Sequence, residues 1–114
     1  MTSLSTHVLD TAIGRPASGI GITLSILRED TWIELAQAVT NNDGRLDQGF
    51  GNAAGAFESA CYRLRFDTGD YLRAQGHTPF YPYAEVVFNL DSDEHHYHIP
   101  LLLSPFGYST YRGS

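Results

Sequence analysis

From Ile20 to Ile26 every second residue is isoleucine or leucine, with Gly21, Thr23 and Ser25 between them, the period of two that buries one face of a β-strand. A polar turn at 28–31 separates this strand from a second at 32–40, the arrangement of an antiparallel hairpin. Asn41, Asn42, Asp43 and Gly44 then form a strong turn signal, since these residues bond their own backbone or accept positive φ. A further strand is expected after Arg45, followed by a loose loop of small and polar residues over 48–55. At 61–66 Tyr62, Leu64 and Phe66 alternate with Arg63 and Arg65 as another half-buried strand. Good helix formers over 70–75, between a capping candidate at Asp67–Thr68 and the stop Gly76, predict the one helix. Three β-like runs follow at 84–90, 95–103 and 107–112, broken at 91–94 and 104–106. With a short N-terminal strand over 6–10, the pattern gives about eight strands and one short helix, a mostly β antiparallel sandwich formed by one domain over 1–114.

Composition narrows the partners. Of 114 residues 42% are hydrophobic, enough for one core, and no apolar run approaches the roughly 20 residues of a membrane span. Thirteen acidic residues against seven basic ones give a net charge of −6, and Arg63 and Arg65 are the only close basic pair, so nucleic acid is not an expected partner. All seven basic residues are arginine, which reads mainly as composition bias and also makes bidentate recognition of carbonyl or carboxylate groups available. Cys61 stands alone, excluding an intrachain disulfide and a multi-cysteine zinc site; its place in a strand pattern predicts a small buried hydrophobe. The N-terminus shows no secretory or transit pattern, and a cytoplasmic location is expected.

Candidate chemistry centres on His95, His96, Tyr97 and His98, at the mouth of an apolar strand. On a strand His96 and His98 share a face, a spacing suited to two zinc ligands, to acid–base work, or simply to polar residues where a strand begins. His7 in an N-terminal strand and Arg45 after a tight turn read on their own as structural and solvated residues. The C-terminal stretch 105–112 is aromatic and strand-like almost to Ser114, so an ordered terminus can bring its last groups to a site, or can simply close a sheet. Ser109 is outside any Gly-x-Ser-x-Gly setting, and no nucleotide-binding loop is present.

Taken together, Leu4-Ser5-Thr6-His7-Val8-Leu9-Asp10, Asn42-Asp43-Gly44-Arg45, and His96-Tyr97-His98-Ile99-Pro100 leading to Tyr111-Arg112-Gly113-Ser114 resemble the 5-hydroxyisourate hydrolases, the transthyretin-related enzymes of urate breakdown. The resemblance runs over nearly the whole chain and departs from the family at 48–60, which is rich in Gly and Ala. It implies a transthyretin-like sandwich, assembled as a homotetramer (a dimer of dimers) whose central channel holds the sites. It also implies catalytic roles for His7, Arg45 and His98, with Tyr111, Arg112, Gly113 and Ser114 completing a substrate pocket and no metal or cofactor required. His96 is not carried over. The implied reaction opens the ring of 5-hydroxyisourate to 2-oxo-4-hydroxy-4-carboxy-5-ureidoimidazoline, by His-assisted attack of water on a ring carbonyl. Transthyretin itself, as a hormone carrier, lacks the two histidines and the Tyr-Arg-Gly-Ser ending. The alternatives are a zinc-dependent cyclic amide hydrolase using His96 and His98, and a non-catalytic carrier.

Overall fold

A computed structural model describes residues 3–50, 57–94 and 96–113. The strands are β1 (Ser3–Asp10), β2 (Arg15–Pro16), β3 (Gly21–Arg28), β4 (Thr31–Val39), β5 (Ala60–Phe66), β6 (Ala84–Leu90), β7 (His96–Ser104) and β8 (Gly107–Thr110), with helix α1 (Thr68–Ala74) between β5 and β6. They form two four-stranded sheets, ordered β2-β1-β7-β8 and β4-β3-β5-β6. The alternation read from the sequence is what fills the space between them. Ile22, Leu24 and Ile26 of β3 and Tyr62, Leu64 and Phe66 of β5 face Val8, Ile99, Leu101 and Leu103 of the other sheet, all of them buried. Among the described residues no helix is long and apolar enough to cross a membrane.

Four expectations are corrected. One pairing is not antiparallel: β1 and β7, from opposite ends of the chain, run parallel from Ser3↔His96 to Asp10↔Leu103. No strand follows Arg45 among the described residues, because Asn41 N–H donates to Arg45 O and turns the chain back; the eighth strand is instead β2, paired with the end of β1. The β3–β4 connection is tighter than 28–31, with Glu29 and Asp30 alone between paired Arg28 and Thr31, both at positive φ. Cys61 lies on the outward face of β5 beside Arg63 and Arg65, and is half-buried rather than buried. Those two arginines stack on Trp32 and Tyr83, and each stands beside a carboxylate, Glu85 at 3.5 Å and Asp67 at 3.4 Å. The middle of the expected 48–55 loop lies outside the described residues.

The helix stops as its sequence predicts, with Gly76 at φ 86°, but Asp67 at its N-cap position makes no side-chain capping bond and turns toward Arg65 instead. Its buried face is tied to the end of β1: Tyr71 Oη donates to Asp10 Oδ2 at 2.7 Å, while Asp10 Oδ1 accepts from Ala12 N–H at 3.0 Å. Asp10 is 1% exposed, and burial with this bond pushes the Tyr71 phenol well above its usual pKa. Tyr71→Phe leaves Asp10 Oδ2 buried without that donor, and a loss of about 2 kcal/mol is expected from the denaturant midpoint with an unchanged slope; an unchanged midpoint would show that the bond contributes nothing.

Candidate active site

Because β1 and β7 are parallel and in register, their outward side chains form two neighbouring rows. Leu4, Thr6, Val8 and Asp10 turn into the core, which sends Ser3, Ser5 and His7 to the opposite face. Tyr97, Ile99 and Leu101 of β7 are buried likewise, leaving His96 and His98 outward, opposite Ser3 and Ser5. Thr6 fixes this register from inside, its hydroxyl donating to Ile99 O at 2.6 Å. A slip of one residue would bury the histidines and expose the core row.

The Asn41 turn delivers Arg45 to the same face. Asn41 Oδ1 accepts from the Asp43 and Arg45 amides at 2.8 and 3.1 Å, and Gly44 O accepts from Val8 N–H at 2.9 Å, so the turn is sewn to β1 beside His7. Gly44 has φ 71°, and a Cβ there would run into Val8 O and Pro16 Cβ, so a side chain meets both strain and backbone. Arg45 is exposed, and among the described residues no carboxylate pairs with it.

His98 is partly buried among the charges of this face. Burial, and then the positive charge of Arg45 with smaller contributions from His96 and His7, lowers its pKa below the usual histidine value, so its ring is neutral at pH 7. His98 Nδ1 is engaged by Ser5 Oγ at 2.7 Å, which leaves Nε2 for proton exchange with a ligand. Ser5 Oγ also reaches His96 Nε2 at 3.1 Å, and Ser3 Oγ lies 2.5 Å from His96 Nδ1. The two rings stack, centroids 6.5 Å apart. Neither Ser3 nor Ser5 stands out in the sequence. Their signal is the period-two run Ser3-x-Ser5-x-His7, which becomes meaningful only once β7 is known to lie beside it. Among the described residues no group of three or more His, Cys, Asp or Glu side chains is placed to hold a metal ion, so a zinc reading of His96 and His98 has no third ligand there.

The C-terminal residues divide between two sides of the sheet. Gly113 comes to the site: its N–H donates to His98 O at 2.8 Å, and a Cβ there would lie 2.5 Å from His98 Cδ2, an approach only glycine allows. Arg112 does not. Its guanidinium lies 4.5 Å over the Tyr97 ring and 3.9 Å from Glu94, at a cleft of about 280 Å³ between the β6 and β8 edges that Tyr111 also lines. Ser114 lies outside the described residues.

A family model described as the HIUase/Transthyretin family matches residues 4–113. The chain belongs to this family. Within it, the chain is 48% identical over 115 residues to 5-hydroxyisourate hydrolase 2 of Rhizobium meliloti (strain 1021), covering 97% of this chain and 95% of that one. Two solved structures are similar. The 5-hydroxyisourate hydrolase of Klebsiella pneumoniae has a TM-score of 0.85 and 38% identity, covering all of both chains. Sea bream transthyretin in complex with thyroxine has a TM-score of 0.89 and 37% identity, covering 96% of this chain and 93% of that chain. The same fold thus occurs in a protein named as a hydrolase and in one solved with thyroxine bound.

The lowered His98 pKa has a signed consequence. The unfolded chain takes up this proton from about pH 6.5 downward, before the folded one does, so the site's contribution to stability diminishes as pH falls from there through the lower folded value. An NMR titration of the His98 ring is expected to give a midpoint below 6.5 that rises in Arg45→Gln; a midpoint at or above 6.5 would contradict the placement of Arg45.

Proposed function

We propose that this protein hydrolyses 5-hydroxyisourate in urate breakdown, opening the ring to 2-oxo-4-hydroxy-4-carboxy-5-ureidoimidazoline. The observation that carries the reading is the convergence on one sheet face of His7, His98 and Arg45, an arginine with no carboxylate partner among the described residues, in a chain 48% identical to a 5-hydroxyisourate hydrolase. Water adds to a ring carbonyl, the adjacent C–N bond breaks, and the departing nitrogen needs a proton. Two imidazoles suit the proton transfers, and a guanidinium without a competing carboxylate suits the oxyanion that forms. Gly113 supports the reading by backing the His98 ring. Tyr111 and Arg112 lie at the cleft between β6 and β8, so in this reading the reacting face is made by His7, Arg45, His98 and Gly113.

The catalytic face is an open sheet surface in one subunit, whereas hydrolysis is favoured where bulk water is excluded. We therefore extend the proposal to a homotetramer, a dimer of dimers that covers this face with a second copy. Exposed Ile13, Val87 and Phe106, with the open edges β6 and β8, supply apolar and hydrogen-bonding surface for such contacts. Light scattering is expected to give about four times the 12.6 kDa chain mass; a monomer at working concentration would remove this part of the account.

The catalytic test follows the decay of freshly generated 5-hydroxyisourate against its spontaneous rate. Acceleration unaffected by EDTA is expected, with kcat falling on the order of 10²–10³-fold in His98→Ala and in Arg45→Ala. A folded protein that does not exceed the blank contradicts the hydrolase reading and favours the carrier; loss of activity on chelation contradicts the metal-free mechanism.

A further inference from the structure

Resting on the hydrolase reading, we propose that Ser5 and His96 form a proton relay for His98: the Ser5 hydroxyl carries the proton of the inner histidine to the exposed outer one, so that His98 completes each transfer uncharged. Neither residue is expected to touch substrate; both act through His98. The geometry is a continuous chain, Ser3 Oγ to His96 Nδ1 at 2.5 Å, His96 Nε2 to Ser5 Oγ at 3.1 Å, and Ser5 Oγ to His98 Nδ1 at 2.7 Å. Every link joins groups on the outward rows of β1 and β7, and it ends at a histidine in contact with solvent.

A serine between two imidazoles has one hydrogen, so the chain has two polarities. In the first, His98 Nδ1–H donates to Ser5 Oγ, Ser5 O–H donates to His96 Nε2, and His96 Nδ1–H donates to Ser3 Oγ. His98 Nε2 then carries a lone pair and acts as a base. When it takes a proton from the attacking water, the O–H bond of water breaks and an N–H bond forms at Nε2. The Nδ1 proton of His98 passes to Ser5 Oγ as the Ser5 proton passes to His96 Nε2. His96, briefly cationic, passes its Nδ1 proton to Ser3 Oγ as the Ser3 hydroxyl proton goes to solvent. The result is the second polarity, with neutral His98 protonated at Nε2 and ready to act as an acid toward the departing nitrogen. As that proton leaves, Ser5 returns one to Nδ1 and His96 refills Ser5 from Nε2, taking back a proton at Nδ1 from Ser3 Oγ, which regains one from solvent. No proton is gained or lost over the cycle.

The physical need for the relay is electrostatic. An imidazolium at His98 would be partly desolvated and close to Arg45, with His7 also near, whereas His96 is exposed and water stabilises its charge. Moving the charge outward separates it from the guanidinium needed for the oxyanion. The arrangement also sets which nitrogen of His98 meets the substrate, because Nδ1 is always held by Ser5.

The test compares Ser5→Thr with Ser5→Val, which match in bulk and strand preference and differ in the hydroxyl, alongside His96→Ala. In weak buffer Ser5→Thr is expected to keep kcat within two-fold, while Ser5→Val and His96→Ala lose about ten- to a hundred-fold in kcat with little change in KM. Added imidazole, with the spontaneous rate subtracted, is expected to restore His96→Ala by accepting the proton from Ser5. Wild-type kcat in Ser5→Val or in His96→Ala overturns the relay, as does a His96→Ala deficit that imidazole leaves unchanged. Thermal melts of each variant separate these losses from unfolding. If the wild-type protein does not accelerate hydrolysis, the hydrolase reading itself fails; if it does and His98→Ala is inactive while the relay variants are normal, only the relay fails.

Discussion

The parallel pairing of β1 with β7 is the constraint on which the rest depends. It joins the two ends of the chain, and its register decides that Ser5 lies against His98 and Ser3 against His96. The lock is made from the buried side, by Thr6 on Ile99 O and by Val8 and Leu101 in the core. Chemistry on the outer face is therefore specified by packing on the inner one. A substitution that disturbs the core row displaces the histidines although it touches neither.

Arg45 reaches this face by different means. It follows a turn whose hydrogen bonds close on Asn41 and whose Gly44 carbonyl is held by the Val8 amide, so a loop residue acquires nearly the definition of a strand residue. Its charge then has two effects. It offers stabilisation to an anion on the sheet face, and it makes a cation at His98 unfavourable. A site built to stabilise negative charge in this way requires its neighbouring base to remain neutral, and the serine link to exposed His96 supplies a route for the displaced proton.

Much of the fold was legible from period-two alternation, because β3 and β5 each bury one face and their patterns report it directly. The helix and its glycine stop were legible for the same kind of local reason. What alternation does not encode is partnership between distant segments. The parallel neighbour of β1, the short β2, and the turn that closes on Arg45 are all settled by which backbone groups pair across the sandwich. Strand membership alone does not bury Cys61, because its parity places it with Arg63 on the outward face. At the site, His7, Arg45 and His98 were named through family resemblance, since each alone reads as an ordinary polar residue. Ser3 and Ser5 became visible only when β7 was beside them. The side taken by Arg112 also follows from parity: Gly113 pairs with His98, so the preceding side chain turns toward Tyr97.

The central claim is that the outward face of β1 and β7 is where the substrate reacts. A crystal structure with a stable oxidised-purine analogue tests it most directly. The account predicts the ring in hydrogen-bond contact with Arg45 and His98 Nε2, with His7 alongside and Ser5 still on Nδ1. An analogue seated instead in the cleft between β6 and β8, against Tyr97 and Arg112, with the histidine face empty, would contradict it.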